Sequence, residues 1–175
     1  MSTILNTNGT AVNVPELNPN VSGKFYIITA EWNEKITHAL RDGAFGVLKR
    51  VGVAKDKIHM VAVPGTVELV NAAALAMKQP KGLLPGMGNP DEIEAVIVIG
   101  CVIRGDTPHF DYVCQIAAQG AASLNALGEA PVIFGVLTVD NLQQAIDRAG
   151  GILGNKGSEA AVAAIEMANL HASLK

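Results

Sequence analysis

The sequence predicts an α/β fold in which helices cover both faces of a parallel β-sheet. Segments with strand and helix patterns alternate along the chain, and each helical segment is long enough to cross over to a parallel strand. Of the 175 residues, 49% are hydrophobic but only 4% are aromatic. Small and branched side chains therefore form the core, as is typical of parallel strands buried on both faces. The length fits a single domain.

The first half of the chain contains two strand–helix pairs. Residues 24–29 (KFYIIT) predict a strand, and residues 34–51 predict an amphipathic helix because their apolar side chains recur at helical spacing. Residues 57–63 predict a second strand. A Pro-Gly turn then leads into a helix near residues 66–77. Residues 79–91 contain three prolines and three glycines, which predicts a loop.

A third strand–helix pair and a fourth strand follow this loop. Residues 94–101 (EAVIVIGC) and 131–137 (PVIFGVL) predict buried strands because nearly every side chain in them is apolar or small. Residues 107–127 between them predict a long helix rich in alanine, and the turn over residues 104–108 precedes it.

The last part of the chain is expected to contain two more helices. Thr138 and Asp140 can cap a helix that runs to about Arg148. The glycine-rich stretch 150–157 is expected to break the chain, and a final helix is expected over residues 158–170.

Charge and composition exclude several classes of protein. The net charge is −3 and there is no basic tract, so nucleic acid is not expected as a partner. No apolar run approaches the roughly 20 residues that a membrane span needs. Residues 1–20 are polar and lack the features of a signal peptide, so we expect a cytoplasmic protein. The cysteines and histidines lack metal-ligand spacing, so no metal site is expected.

Unusual residues are concentrated where the predicted strands end. Ligands of open parallel sheets bind outside the carboxyl ends of the strands. At this edge the sequence places residues 32–33, 65–68, 104–109 and 138–140. They include the only tryptophan, an acid just after a Pro-Gly turn, and a histidine just after a glycine turn. This concentration predicts a binding site at that edge.

Three of these residues have both a functional and a structural interpretation. Trp32 can stack on a flat ring, although a solitary tryptophan more often packs in a core. Glu68 can accept hydrogen bonds from substrate hydroxyls, or it can simply stabilise the first turn of its helix. His109 can carry protons, or it can donate a structural hydrogen bond to a carbonyl. The residues alone leave these alternatives open.

Two further groups of residues suit a phosphate. Free N–H groups near Asp106 and Thr107, at a helix start, can bind an anion, although an ordinary capped turn explains them equally well. Arg148 and Lys156 flank the glycine-rich stretch and can hold phosphate, whereas most such cations are simply solvated. Phe134 lies inside a predicted strand, where core packing is its default role.

Several motifs, in matching order and spacing, identify a family. Residues 100–112 (GCVIRGDTPHFDY) resemble the G-x-V-I-R-G-x-T-x-H-[FY]-[DE]-Y signature of lumazine synthases. Further segments are similar to motifs of the same family: 63–69 (VPGTVEL), 131–138 (PVIFGVLT), 144–150 (QAIDRAG), 154–157 (GNKG) and 164–170 (AIEMANL). The resemblance covers about residues 24–170, which is nearly the whole chain.

The resemblance implies a flavodoxin-like, three-layer α/β/α sandwich and a specific reaction. The 5-amino group of 5-amino-6-(D-ribitylamino)uracil attacks the ketone of 3,4-dihydroxy-2-butanone 4-phosphate and an imine forms. Phosphate is eliminated, and ring closure gives 6,7-dimethyl-8-ribityllumazine. This is the penultimate step of riboflavin biosynthesis. The resemblance implies that no organic cofactor and no metal take part.

The resemblance also assigns residues to the pyrimidine substrate. Trp32 stacks on the pyrimidine ring, in place of a more common Phe. Thr66, Val67 and Glu68 hold the ribityl chain, and Glu68 accepts hydrogen bonds from its hydroxyls. Val67 stands where many relatives have Phe or Tyr, so we expect a ribityl pocket of different shape. Backbone groups of three residues read the uracil edge: Cys101, Val102 and Ile103.

The second substrate carries the phosphate, and the resemblance assigns it a separate set of residues. Asp106 and Thr107 supply backbone donors to the phosphate, and His109 is the proton carrier. Phe134, Arg148 and Lys156 match residues that reach the site from an adjacent subunit. The resemblance places Phe134 over the ring, Arg148 on the phosphate and Lys156 near the substrates.

The resemblance implies a homo-pentamer, and in many members a hollow icosahedral shell of twelve pentamers. Relatives that stop at pentamers often carry an insertion in the loop 148–156. That loop is short here, which favours a shell. Riboflavin synthase is a candidate partner. We expect the family domain over residues 21–175 after an N-terminal extension over residues 1–20. A strand around residues 11–14 could pair with a neighbouring subunit, and residues 82–91 look longer than in many relatives.

Three other functions compete with this one. The archaeal-type riboflavin synthase is a close paralogue, but the GNKG and MANL segments favour lumazine synthases. A non-catalytic shell that binds lumazine or flavin would not need His109, Arg148 and Lys156. A flavodoxin-like electron carrier would need a phosphate loop directly after the first strand, and residues 29–33 (TAEWN) do not form one.

Overall fold

The computed structural model describes residues 13–78 and 92–174, so the predicted loop 79–91 lies outside the described residues. The strands are β1 (Lys24–Ala30), β2 (Ile58–Val63), β3 (Ile93–Ile103), β4 (Val132–Val139), β5 (Ala149–Gly151) and β6 (Gly154–Asn155). The helices are α1 (Glu34–Arg50), α2 (Glu68–Met77), α3 (His109–Ala126), α4 (Leu142–Arg148) and α5 (Lys156–Leu174). No described helix is long and apolar enough to cross a membrane.

Four parallel strands form the main sheet in the order β2-β1-β3-β4. The chain therefore winds from β1 to β2 in one direction, and then crosses back over β1 to β3 and β4. This order, with helices on both faces, confirms the expected flavodoxin-like three-layer α/β/α fold. The winding direction reverses between β1 and β3, and the crevice at the carboxyl ends of these strands suits a ligand.

The sheet is buried on both faces, as its apolar strand sequences predict. On one face, α1 and α5 pack against β1 and β3 around Ile27, Leu40 and Ile165. On the other face, α2 and α3 cover the sheet around Ile28 and Leu69. All five side chains are at most 1% exposed. Full burial of each such side chain contributes about 1.5–3 kcal/mol to folding.

A short hairpin of β5 and β6 leads directly into α5, where the sequence predicted only a break. Asn155 caps α5, because its Oδ1 accepts the Ser158 N–H at 3.0 Å. Asn155 Nδ2 also donates to the Ala39 carbonyl of α1 at 2.9 Å. A Cβ on Gly157 would overlap the carbonyl oxygen of Leu40. Glycine therefore allows the close approach of α5 to α1, and the GNKG motif has a structural explanation.

The predicted cap of α4 is wrong. Thr138 lies within β4 and pairs with Val102 of β3, so it continues the sheet instead of starting the helix. Asn141 caps α4, because its Oδ1 accepts the Gln144 N–H at 3.0 Å. Gln144 Oε1 in turn accepts the Asp140 N–H at 3.0 Å. The two bonds resemble a capping box shifted by one residue.

Residues 13–20 pack against α5 of the same chain. The Asn18 N–H donates to Asn169 Oδ1 at 2.8 Å. Asn169 Nδ2 returns a hydrogen bond to the Glu16 carbonyl, also at 2.8 Å. This part of the expected extension is therefore fixed to the domain that follows it. The predicted strand 11–14 begins outside the described residues, so its pairing with a neighbouring subunit stays a prediction.

Candidate active site

Trp32 and Glu68 lie together at the carboxyl edge of the sheet, where the sequence places them. Trp32 follows β1, and its side chain is 69% exposed. Glu68 is the first residue of α2, after β2. Gly65 contacts both, because a Cβ on this glycine would lie 2.8 Å from Trp32 Cε3 and 3.0 Å from Glu68 Oε2. The indole ring and the carboxylate therefore border one space, which a flat ligand with hydroxyl groups can enter.

Thr66 and Cys101 are buried near this end of the sheet, and the Cys101 side chain belongs to the core on the α1–α5 face. Thr66 is 5% exposed and Cys101 is 4% exposed. A Cβ on Gly100 would lie 2.9 Å from Thr66 Oγ1, so this glycine lets Thr66 approach β3 closely. Burial raises the pKa of the Cys101 thiol to about 11. The thiol is therefore neutral at neutral pH, and its place in the core leaves the backbone as the part of Cys101 that borders the edge.

Three other predicted residues border the same edge. Val102 and Ile103 are the last residues of β3, and their backbones pair with Thr138 and Val139 of β4. Val67 is half-buried at the position before α2, where it supplies no side-chain cap. The backbone that was expected to read a uracil edge is therefore part of a rigid parallel ladder.

Asn33 is a residue of this edge that the sequence analysis did not assign to the site. It has a left-handed backbone, with a φ of 61°. Asn33 Nδ2 donates to the Cys101 carbonyl at 2.9 Å. The Asn33 carbonyl accepts the N–H groups of Ile36 and Thr37 at 2.8 and 3.0 Å. Asn33 thus joins the end of β1 to α1 and β3, and asparagine tolerates the left-handed region better than most residues.

The loop between β3 and α3 leaves backbone donors exposed. Asp106, Thr107 and His109 are exposed, and their side chains make no hydrogen bond or ion pair with the rest of the described chain. Helix α3 begins at His109, so the expectation that Asp106 or Thr107 starts it is wrong by two or more residues. Pro108 precedes the helix and provides no side-chain cap. The Asp111 N–H donates to the Pro108 carbonyl at 3.0 Å, so the N–H groups of His109 and Phe110 are the ones at this helix start that can bind an anion.

Arg104 connects this loop to its surroundings, and the sequence analysis gave it no role. The Arg104 N–H donates to the Val139 carbonyl at 2.8 Å. Its Nε donates to Asp140 Oδ1 at 3.1 Å, and its Nη1 lies 3.4 Å from Asp111 Oδ1. The guanidinium carbon lies 4.1 Å from the centroid of the Phe110 ring, within the range of a cation–π contact.

A groove along β4 brings together the three residues that were expected to act across a subunit boundary. Phe134, Arg148 and Lys156 all line it, and its volume is about 760 Å³. Phe134 is 41% exposed, although it lies in a strand. Since β4 is an edge strand of the sheet, the groove faces away from the chain's own core.

Neighbouring groups hold the two cations of this groove. Lys156 Nζ donates to both carboxylate oxygens of Glu159, at 2.9 and 2.8 Å. Arg148 Nη1 donates to the Gln144 carbonyl one helical turn earlier, at 3.0 Å. The Arg148 guanidinium has no carboxylate partner among the described residues, so most of its donors can bind an oxyanion.

The predicted site residues therefore form two groups on one chain. The edge group lies at the carboxyl ends of the strands: Trp32, Thr66, Val67, Glu68, Cys101, Val102, Ile103, Asp106, Thr107 and His109. The groove group consists of Phe134, Arg148 and Lys156. The structure describes all of these residues. The lining of the groove contains no member of the edge group. A single chain thus carries its predicted site residues in two groups, which adjoin where Val102 and Ile103 pair with Thr138 and Val139 of the groove lining.

Comparison with known proteins decides the family. The family model described as 6,7-dimethyl-8-ribityllumazine synthase matches residues 22–172. The chain belongs to the 6,7-dimethyl-8-ribityllumazine synthase family.

Individual lumazine synthases are similar over most of their length. The 6,7-dimethyl-8-ribityllumazine synthase of Bacteroides fragilis (strain YCH46) is 49% identical over 144 residues, which are 82% of this chain and 93% of the relative. The synthase of Porphyromonas gingivalis (strain ATCC 33277) is 51% identical over 144 residues, which are 82% of this chain and 83% of the relative. The synthase of Phocaeicola vulgatus (strain ATCC 8482) is 46% identical over 158 residues, which are 90% of this chain and 88% of the relative. The resemblance seen in the sequence motifs is thereby confirmed.

Proposed function

We propose that this lumazine synthase family member condenses 5-amino-6-(D-ribitylamino)uracil with 3,4-dihydroxy-2-butanone 4-phosphate. The products are 6,7-dimethyl-8-ribityllumazine, phosphate and water. The observation that carries the proposal is the family match over residues 22–172, because this range includes every residue of both groups. The geometry of the edge group supports it with an exposed ring, a carboxylate and backbone donors in one region.

In the proposed complex, the pyrimidine occupies the space beside Trp32. Its ring stacks on the exposed indole, and the ribityl hydroxyls donate to Glu68 above the buried Thr66. The uracil edge bonds to the backbone at the end of β3, which the hydrogen bond from Asn33 to the Cys101 carbonyl holds in place.

The phosphate-bearing ketone occupies the start of α3 in this proposal. Backbone N–H groups around Asp106 and Thr107 bind the phosphate, and Arg148 of an adjacent subunit completes the charge balance. His109 then lies beside the reacting carbons and carries protons during imine formation and phosphate loss. Holding two substrates together supplies up to roughly 7–11 kcal/mol of the barrier reduction. A proton carrier raises the reaction rate by a further factor on the order of 10²–10⁴.

A homo-oligomer follows from the division into two groups, and we propose a pentamer. The groove group of one subunit faces the edge group of the next, which explains why Phe134 and Arg148 lie on the outside of a single chain. Exposed Tyr112, Ile116 and Ile152 offer apolar surface for such contacts. The short hairpin between Arg148 and Lys156 favours a shell of twelve pentamers. A single pentameric boundary in analytical ultracentrifugation, at high concentration and in phosphate buffer, would contradict the shell.

Residues 21–175 are proposed to act as the catalytic domain, with residues 1–20 as an extension that contacts a neighbouring subunit. We propose a cytoplasmic location, because Cys101 and Cys114 are free thiols, as a reducing compartment would maintain. Riboflavin synthase, which consumes the product, is the proposed partner. Co-purification of the two proteins from cell extract tests this last point, and complete separation at low salt would oppose it.

A product assay tests the proposed reaction. Purified protein is mixed with both substrates, and lumazine fluorescence and phosphate release are followed together. We expect lumazine and phosphate to form in equal amounts. Arg148→Ala should lose nearly all of this activity. The control Arg50→Ala, which removes an exposed cation at the end of α1, should lose none.

Other outcomes of this assay favour other functions. A folded oligomer without turnover would favour the non-catalytic shell, and titration with lumazine and riboflavin would then measure binding. Consumption of lumazine alone would favour the riboflavin synthase paralogue.

A further inference from the structure

The loop before α3 is fixed at its ends and not by its own side chains. Residues 105–108 make no side-chain hydrogen bond with the rest of the described chain, and a Cβ added to Gly105 would meet no atom within 4 Å. Arg104 at the start of the loop bonds to Asp140 after β4 and to Asp111 in the first turn of α3. Its guanidinium also covers the ring of Phe110. One side chain therefore bridges the three segments that meet around the loop.

The charges around the loop also depend on Arg104. Asp111 and Asp140 are both more than half exposed, and each forms an ion pair with Arg104. Without the guanidinium, two unpaired carboxylates would flank the position proposed for a phosphate and would repel it. Arg104 reaches the two carboxylates with two different nitrogens, Nε and Nη1, and lysine has only one nitrogen to offer.

We propose that Arg104 is a positioning residue for the phosphate-bearing substrate. It holds the loop 105–108 so that backbone N–H groups point at the phosphate, and it neutralises the two nearby carboxylates. The role proposed for Arg104 is to hold these segments in place and not to contact substrate, since its Nε and Nη1 point to Asp140 and Asp111. The inference rests on the proposed function, since it concerns one substrate of that reaction.

The test compares Arg104→Ala and Arg104→Lys with the control Lys49→Ala. Lys49 Nζ lies 5.7 Å from the Phe45 ring centroid on α1, so the control also removes a cation over an aromatic ring, away from the loop. We expect Arg104→Ala to raise the KM for the butanone phosphate, and the inhibition constant of inorganic phosphate, by roughly tenfold or more. The KM for the pyrimidine stays unchanged, because other elements form that subsite. We expect Arg104→Lys to show most of the same increase in the KM for the butanone phosphate, and Lys49→Ala to show none.

A purely structural role would give a different pattern. If Arg104→Ala lowers the melting temperature but leaves the ratio of the two KM values unchanged, the inference is wrong. If that variant does not fold, Arg104→Gln takes its place, because it removes the positive charge and keeps a polar side chain of similar length. It should raise only the KM for the butanone phosphate, by a smaller factor, and equal changes in both KM values would contradict the inference. Absence of product with the unmodified protein would instead contradict the proposed function.

Discussion

His109 differs from Trp32, Glu68 and Cys101 because no contact in the described chain holds its side chain. Trp32 and Glu68 contact Gly65, and Cys101 is buried, whereas His109 is exposed at the first position of α3. Such a side chain can move between the two substrates, as a proton carrier must. It contributes little to the shape of the site, so its role can be separated from substrate binding.

We expect His109→Ala to slow turnover without abolishing it. The proton-transfer contribution is lost, so kcat falls by a factor on the order of 10² or more. Positioning of the two substrates remains, so the rate stays above that of the uncatalysed reaction. Steady-state assays of lumazine formation measure this, with His171→Ala in α5 as the control. Complete loss of activity in a folded oligomer would contradict this division of roles.

Residue types that are rare at strand ends could be predicted from the sequence, whereas residues that hold other segments in place could not. Trp32 and Glu68 stood out because a ring and an acid follow predicted strands. Asn33 and Arg104 did not, because their importance comes from a 2.9 Å bond to the Cys101 carbonyl and from carboxylates 7 and 36 positions away. No local pattern encodes such contacts.

Among the elements, α5 shows how a short motif determines packing. Gly157 contacts the backbone of α1, and Asn155 caps α5 while it bonds to α1. The same turn places Lys156 against Glu159 at the rim of the groove. The motif therefore links the packing of two helices to the position of a proposed site residue.

We expect Gly157→Ala to destabilise the protein by about 1–3 kcal/mol, because the added methyl group overlaps the Leu40 carbonyl. The matched control is Gly46→Ala in α1, where the added Cβ meets no atom within 4 Å. That change should stabilise the protein by roughly 0.5–1 kcal/mol. Urea unfolding of both variants measures the difference. Equal stability of the two variants would mean that α1 and α5 do not approach each other as described.

The order and type of the elements could be predicted because periodicity and apolar runs are local properties. The ends of elements were less predictable. Thr138 favours a helix cap by residue type, but its pairing with Val102 keeps it in β4. The hairpin before α5 was missed because its strands are only three and two residues long and contain mostly glycine.

For the whole molecule, the central feature is that the predicted site residues fall into two groups, which we propose to belong to shared sites between subunits. Phe134, Arg148 and Lys156 line a groove beside the edge strand β4, while Trp32 and Glu68 lie at the carboxyl edge beside β1 and β2. The sequence predicted this division only through the family resemblance, because Phe134 lies in β4, Arg148 ends α4 and Lys156 begins α5, and no local pattern links these positions. The contribution of the groove group to a neighbouring subunit stays a prediction.

Subunit mixing tests this central claim most directly. Glu68→Ala disables the edge group and Arg148→Ala disables the groove group, so each variant alone should have little activity. Co-expression of the two, with different tags, should restore about a quarter of the activity of the unmodified protein, because random mixing leaves about that fraction of shared sites intact. The control is the double variant co-expressed with the unmodified chain, which should give the same fraction. Activity no greater than that of the separate variants, with about half in the control, would show that each site lies within one chain and would contradict the account.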